Sequence, residues 1–252
     1  MLSTLRLQTF KRKLLRRKDL VDMSISPNPN IAEIAALFGE TSRAAILTSL
    51  LDGRLHTASD LAYRAGITPQ TASFHLGKLA EGGLVSVEKH GRHRYYQLAN
   101  SEVASLLESF LVISPQPEVK SLKQSAQMVM LQKARTCYDH LAGKLGVGIT
   151  DSMLDSGYLK KDGKEFVLTE AGVQFVINFG LDLESIKRKR RSLSHACLDW
   201  SERSYHLAGA LGNQFMQHFF DLGWITPLPG IRAVKVTDQG KAGFKQYFNI
   251  SL

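Results

Sequence analysis

The sequence predicts a mainly α-helical chain with small β-hairpins. Three observations carry this. Apolar residues from Ile31 to Leu79 recur at helical spacing, broken by capping residues and glycines. Residues 84–98 then read as two short strands around a polar turn. The second half contains an internal repeat at an offset of 66 residues. The first two predict an N-terminal winged helix-turn-helix, and the third predicts two repeated winged-helix-like lobes behind it.

The first helix is read from one face, Ile31, Ile34, Ala35, Leu37 and Phe38. Thr41 or Ser42 is placed to cap a second helix with Ile46, Leu47, Leu50 and Leu51 on its buried face, and Gly53 ends it. Thr57-Ala-Ser-Asp60 has capping-box spacing before Leu61 and Ala62, in a short helix that stops at Gly66. Thr68 caps the next helix, and Pro69 sits in its first turn, where a missing N–H costs nothing. Gly82-Gly83 breaks that helix. Leu84, Val85 and Val87 form a strand, Lys89-His90-Gly91-Arg92 a turn, and His93 to Leu98 the return strand, with Tyr95 or Tyr96 facing the core. A last helix covers about 100–112 and ends at the linker Ser114-Pro115-Gln116-Pro117.

The predicted organisation is a basic leader at 1–30, a winged helix-turn-helix at 31–113, a linker at 114–119, and lobes at 120–180 and 181–252. The leader has a second reading, in which translation starts at Met23. No apolar run reaches the roughly 18 residues a membrane-spanning helix needs, and no membrane partner is expected. Two cysteines, Cys137 and Cys197, are too few for a disulfide scaffold. The bacterial cytoplasm is the expected location, on the nucleoid when DNA is bound.

The formal net charge is +9. Residues 1–22 carry +5 and the run Lys187-Arg-Lys-Arg-Arg191 carries another +5, which leaves −1 for everything else. Residues 23–113 also sum to −1, so the pI does not mark a basic DNA-binding domain. DNA binding would depend on where the cations sit. On the helix after Thr68, Ala72, Leu76 and Leu79 form the buried side. The opposite side carries Gln70, Phe74 and Lys78, flanked by Thr71, Ser73 and His75, with no acid before Glu81. Small polar groups in the first turns suit base edges in a major groove, and a lysine further along suits phosphate. Phe74 either meets a thymine methyl or folds back on a neighbouring helix. His90, Arg92 and Arg94 at the hairpin tip suit a backbone or minor groove.

Taken together, Ile31-Ala-Glu-Ile-Ala-Ala-Leu-Phe-Gly-Glu-Thr-Ser-Arg-Ala-Ala-Ile-Leu, Ile67-Thr-Pro-Gln-Thr-Ala-Ser-Phe-His-Leu-Gly-Lys-Leu, Gly83-Leu-Val and Gly91-Arg-His-Arg-Tyr-Tyr-Gln-Leu resemble the bacterial ArsR family of winged-helix regulators. The resemblance covers about 31–110. It implies a homodimer built on the first and last helices of the domain, operator binding on double-stranded DNA, and repression that an effector relieves. The family's arsenic and cadmium sensors carry cysteines where this chain reads His56-Thr-Ala-Ser-Asp60. Its zinc sensors carry histidines on the last helix, which here has Glu102 and Glu108 but none. No metal or cofactor is therefore assigned.

His140-Leu-Ala-Gly-Lys-Leu-Gly146 repeats as His206-Leu-Ala-Gly-Ala-Leu-Gly212, and eight of 21 positions are identical between 139–159 and 205–225. Leu168-Thr-Glu-Ala-Gly172 repeats as Val236-Thr-Asp-Gln-Gly240. Long helices at about 120–138 and 184–202 are expected to lead into the two lobes, which should pack together around a cavity. Cys137, Tyr138, His140, Cys197, Trp200, Tyr205 and His206 are the candidate lining for a small-molecule effector. Cys137 and His140, at i and i+3, would share a helical face able to ligate a soft metal. The competing reading is a helix-packing motif used twice, with buried cysteines as plain small hydrophobes or as a redox pair. Cys137 and Cys197 lie 60 apart, not 66, and so do not read as repeat equivalents.

The expected function is a sequence-specific DNA-binding repressor. The alternative is an architectural DNA binder that needs no effector and gains phosphate contacts from the C-terminal half. No phosphate loop, nucleophile elbow or carboxylate dyad points to an enzyme.

Overall fold

The computed structural model describes residues 29–115, 118–119 and 121–252. The leader cations at 6–22, the Met23 start and the linker residues Gln116 and Pro117 lie outside the described residues. Among the described residues, helices α1 (Ile31–Phe38) and α2 (Thr41–Ser49) come first. Glu40 caps α2, rather than Thr41 or Ser42. Its carboxylate accepts from the Ser42 and Arg43 amides, and it brings a full negative charge to the positive helix end. A 3-10 turn, Leu50–Asp52, closes at Gly53 in the left-handed region, φ 69°. Strand β1 (His56–Thr57) leads into α3 (Ala58–Ala65). The Thr57 hydroxyl accepts from the Asp60 amide, but Asp60 turns its carboxylate to His56 and Arg64 instead of completing a capping box.

Helix α4 (Pro69–Glu81) starts behind Thr68, whose hydroxyl accepts from the Thr71 amide. Strands β2 (Val85–His90) and β3 (His93–Leu98) pair from Val85↔Leu98 to His90↔His93. The turn is thus Gly91-Arg92, with Lys89 and His90 inside the strand. Tyr96 is the tyrosine that faces the core. β1 pairs with β3 as a third strand, too short to show as alternation. Asn100 caps α5 (Ser101–Ile113). Ile46, Leu47, Leu61, Leu76, Leu79, Tyr96, Leu98 and Leu107 form the core of this part.

A buried polar knot ties the 3-10 turn to α3. His56 Nε2 lies 2.8 Å from Asp52 Oδ1, and Arg64 Nη1 lies 3.4 Å from Asp52 Oδ2. Burial pushes the Asp52 carboxyl up. The His56 hydrogen bond and the charges of His56 and Arg64 outweigh it and hold the group below its ordinary value. Its stabilisation is therefore present above the unfolded carboxylate range and lost as pH falls through the lowered value. The wild-type melting temperature should fall more steeply below about pH 4 than that of Asp52→Asn. Parallel pH–Tm curves would contradict this.

In the C-terminal half the expected long helices are shorter, and each gives way to a hairpin. Helix α6 (Leu122–Lys133) stops at Ala134, and β4 (Arg135–Cys137) pairs with β5 (His140–Ala142). The reason is the fully buried Arg135, whose guanidinium turns into the protein. After α7 (Gly143–Asp155), β6 (Leu159–Asp162), β7 (Glu165–Leu168) and α8 (Glu170–Asn178), helix α9 (Leu183–Lys187) ends inside the cationic run. Five consecutive like charges repel on a helix. Strands β8 (His195–Leu198) and β9 (Tyr205–Ala208) form the second hairpin. α10 (Gly209–Asp221), β10 (Ile225–Pro227), β11 (Val234–Val236) and α11 (Asp238–Phe248) complete the chain.

The repeat has a structural cause at each motif. The Thr169 and Thr237 hydroxyls accept from the Gly172 and Gly240 amides as helix caps. A Cβ on either glycine would run into the Tyr158 or Trp224 carbonyl. The two units share one core. Leu145, Met153, Phe166 and Phe179 from the first meet Phe215, Phe219, Trp224, Phe244 and Phe248 from the second. Packing is crossed: β5 lies against α10 and β9 against α7, and the Leu207 amide donates to Thr150 Oγ1 at 2.9 Å. The β4–β5 turn also touches the N-terminal part, where the Tyr138 amide donates to the Leu51 carbonyl at 2.7 Å.

Candidate nucleic-acid interface and ligand site

Helix α4 divides as its sequence requires. Ala72, Leu76 and Leu79 are fully buried, and each leucine is worth about 1.5–3 kcal/mol of burial. Thr68, Gln70, Ser73, Phe74 and Lys78 are exposed, and Thr71 is half-buried with its hydroxyl 2.9 Å from that of Thr68. Phe74 is 60% exposed, with Lys78 Nζ 4.6 Å above its ring. It does not fold back onto a neighbouring helix. His75 departs from expectation. It is buried, with Nδ1 3.6 Å from Glu40 Oε2, because its place beside Leu76 turns it toward the α2 cap. On the wing, His90, Arg92 and Arg94 are exposed, and His90 Nε2 lies 3.2 Å from Glu88.

The candidates in the C-terminal half separate into two groups. Cys137 and His140 do not share a helical face; they are cross-strand partners of the β4–β5 hairpin. Cys197 and His206 are the matching partners of β8–β9. The cysteines are therefore repeat equivalents after all. The six-residue discrepancy lies between cysteine and histidine, which are separated by eight residues, 198–205, in the second hairpin and by two, 138–139, in the first. The cysteine sulfurs are 3.8 Å apart and the two histidine Nε2 atoms 3.1 Å apart. One donor atom from each of the four residues falls within 4.8 Å of the others. The three aromatics stay outside this cluster. Tyr138 lies in the hairpin turn at φ 57°, Trp200 stacks on the Arg135 guanidinium at 4.4 Å, and the exposed Tyr205 ring sits under Lys161 Nζ at 3.7 Å.

Several polar residues that hold the cluster were not singled out from sequence. Asp199 and Arg135 are fully buried and paired at 2.8 Å. Asp199 also accepts from the Gly143 amide at the start of α7 at 2.7 Å and from the Ser201 and Glu202 amides. Burial raises its carboxyl, but the His206 hydrogen bond and the Arg135 charge hold it well below the usual carboxylate range. Asp139 lies 3.2 Å from His140 Nδ1 and pairs with Arg191. Buried Glu108 of α5 meets Arg232 at 2.8 Å. The only sequence signal was the Asp in each of the stretches Cys137-Tyr-Asp-His140 and His195-Ala-Cys-Leu-Asp-Trp200. Of the 187–191 run, Lys187 pairs with Glu184, Lys189 reaches Asn213 and Gln214, and Arg191 is the partner of Asp139.

A cavity of about 30 Å³ adjoins the cluster, bounded by Glu108, Cys137, His140, His195 and Cys197. Between α5 and β8 runs a more open groove of about 380 Å³, lined by Ser105, Ser109, Val112, Leu198 and Tyr205.

A helix-turn-helix domain model matches residues 38–88. The chain is 49% identical over 225 residues to the "Uncharacterized HTH-type transcriptional regulator YdfF" of Bacillus subtilis (strain 168), covering 89% of this chain and all of that protein. Among solved structures, a homodimeric winged helix-turn-helix DNA-binding domain from Mycobacterium bovis, described as a possible ArsR-family regulator, is 28% identical. That match covers 39% of this chain and 83% of that one, with a TM-score of 0.31. The cadmium metal-sensor CMTR from Mycobacterium tuberculosis is 32% identical over 36% of this chain and 98% of that one, with a TM-score of 0.29.

Proposed function

Because this chain belongs to the helix-turn-helix-type transcriptional regulators, we propose that it is a homodimeric, ArsR-like repressor whose C-terminal half binds an effector. The winged helix-turn-helix, residues 31–113, is its DNA-binding unit, and residues 120–252 are its effector unit. The observation that carries the DNA reading is the split of α4. Its buried side is apolar apart from His75, and its open side offers Gln70, Ser73, Phe74 and Lys78 with no acid before Glu81. Thr68, Thr71 and the wing residues His90, Arg92 and Arg94 complete the contact set.

Dimerisation is argued from α1 and α5. Ile31, Ile34, Leu106, Phe110 and Ile113 are exposed large apolar side chains on these two helices, and a second copy of the same helices would cover them. Two copies would then read half-sites about 34 Å apart. The effector reading is supported by the position of α5, which lines both the groove and the small cavity in front of the cysteines. A ligand there has a direct route to the dimer helix and thus to half-site spacing.

Footprinting of the full chain on its own promoter region tests the reading. The expected result is two protected half-sites one helical turn apart. A Leu106→Glu/Ile113→Glu variant should sediment as a monomer and lose the paired footprint. A variant that remains dimeric would overturn the α1–α5 interface, and protection without a repeat would overturn dimeric reading of DNA.

A further inference from the structure

We propose that Cys137, His140, Cys197 and His206 form a tetrahedral binding site for a soft divalent metal ion of the zinc class, one ion per chain, clamping the two repeat hairpins together. Four observations support it. The donor set is two sulfurs and two imidazole nitrogens, which selects zinc-like ions over calcium or magnesium. A tetrahedron with bonds of about 2.3 Å to sulfur and 2.0–2.1 Å to nitrogen has edges of about 3.8 and 3.3 Å. The sulfurs lie 3.8 Å apart and the nitrogens 3.1 Å apart.

The histidines are oriented for the task. His140 Nδ1 faces Asp139 at 3.2 Å, and His206 Nδ1 faces Asp199 at 3.3 Å. A ligating histidine whose other ring nitrogen donates to a carboxylate is the common arrangement around metals. The two Nε2 atoms face each other beside the two sulfurs.

The repeat itself is built for this spot. A Cβ on Gly146 would lie 3.7 Å from the His206 Cβ, and one on Gly212 would lie 3.4 Å from the His140 Cβ. The last glycine of each His-Leu-Ala-Gly-x-Leu-Gly motif is required by the Leu141 or Leu207 carbonyl of its own hairpin, which a Cβ would meet at 2.4 or 2.3 Å, and it packs beside the opposite hairpin's histidine. The adjoining cavity, about 30 Å³, suits an ion or a water and not an organic effector.

Binding one M²⁺ forms two M–S and two M–N bonds and releases the two thiol protons to solvent, with no change in oxidation state. Cys137 and Glu108 of α5 line the same small cavity, which places the site beside the proposed dimer helix. The regulatory part of this inference rests on the effector reading above; the site itself does not.

The test uses the full chain, reduced and stripped of metal. Titration with Co²⁺ should give a one-to-one complex with tetrahedral ligand-field absorption and sulfur-to-cobalt charge transfer, displaced by Zn²⁺. Zn²⁺ should protect both cysteines, the only two in the chain, from alkylation in wild-type protein. Cys197→Ser should lose the charge-transfer complex, and Asp139→Asn should weaken Co²⁺ binding about 10- to 100-fold. No stoichiometric Co²⁺ complex, octahedral cobalt spectra, or alkylation unaffected by Zn²⁺ would each overturn the site. DNA affinity is read in the same samples. A loaded site with unchanged DNA affinity upholds the metal site and rejects its role as effector.

Discussion

Asp199→Ala should destabilise the protein by about 3–5 kcal/mol, because it leaves the Arg135 charge buried and unpaired. Typical domains are stable by only about 5–15 kcal/mol, so this is a large fraction of the total. The predicted fall in Tm is about 6–20 °C for a chain of this length. The geometry explains why Asp199 matters more than its partner. Its carboxylate meets Arg135, the Gly143 amide, the Ser201 amide and hydroxyl, and the Glu202 amide, and it lies 3.3 Å from His206 Nδ1. Arg135→Met removes one of these donors and leaves the rest, and its aliphatic chain still packs near Trp200. Arg135→Met should therefore cost clearly less than Asp199→Ala. Denaturant unfolding of both variants checks the order, and an Asp199→Ala midpoint close to wild type would contradict the account of this node.

The second large effect is on recognition. Gln70 and Ser73 occupy the exposed, N-terminal end of α4, and their side chains hold nothing essential in the fold. Ser73 Oγ donates only to the Pro69 carbonyl one turn back, at 2.9 Å. Each lost base contact costs about 1–3 kcal/mol of discrimination. The Gln70→Ala/Ser73→Ala double variant should thus lose at least about thirtyfold in operator specificity, with dimerisation and Tm unchanged. Lys78→Ala should behave differently, weakening all DNA about equally and lowering the salt dependence. Unchanged specificity in the double variant would refute the assignment of α4 as the reading helix.

These two sites differ in how far the sequence disclosed them. Helix α4 was legible because local chemistry marks both its ends, Thr68-Pro69 and Gly82-Gly83, and its buried positions keep helical spacing. The wing was legible for the same reason, while two-residue β1 was not. His75 escaped because its environment is set by Glu40, 35 residues away. In the C-terminal half the repeat was visible, but its entrance elements were misread as helices. What makes them hairpins is long-range: Arg135 pairs with Asp199, 64 residues on. The equivalence of the cysteines was masked by the longer β8–β9 turn. Only the folded crossing of the two hairpins brings the four donors together.

The most direct test of the central claim is a titration of the full wild-type chain against its own promoter fragment and a shuffled fragment of equal length, at one fixed salt concentration. The account predicts binding to the promoter at least about 10³-fold tighter than to the shuffled DNA. Equal affinity for the two fragments would contradict it.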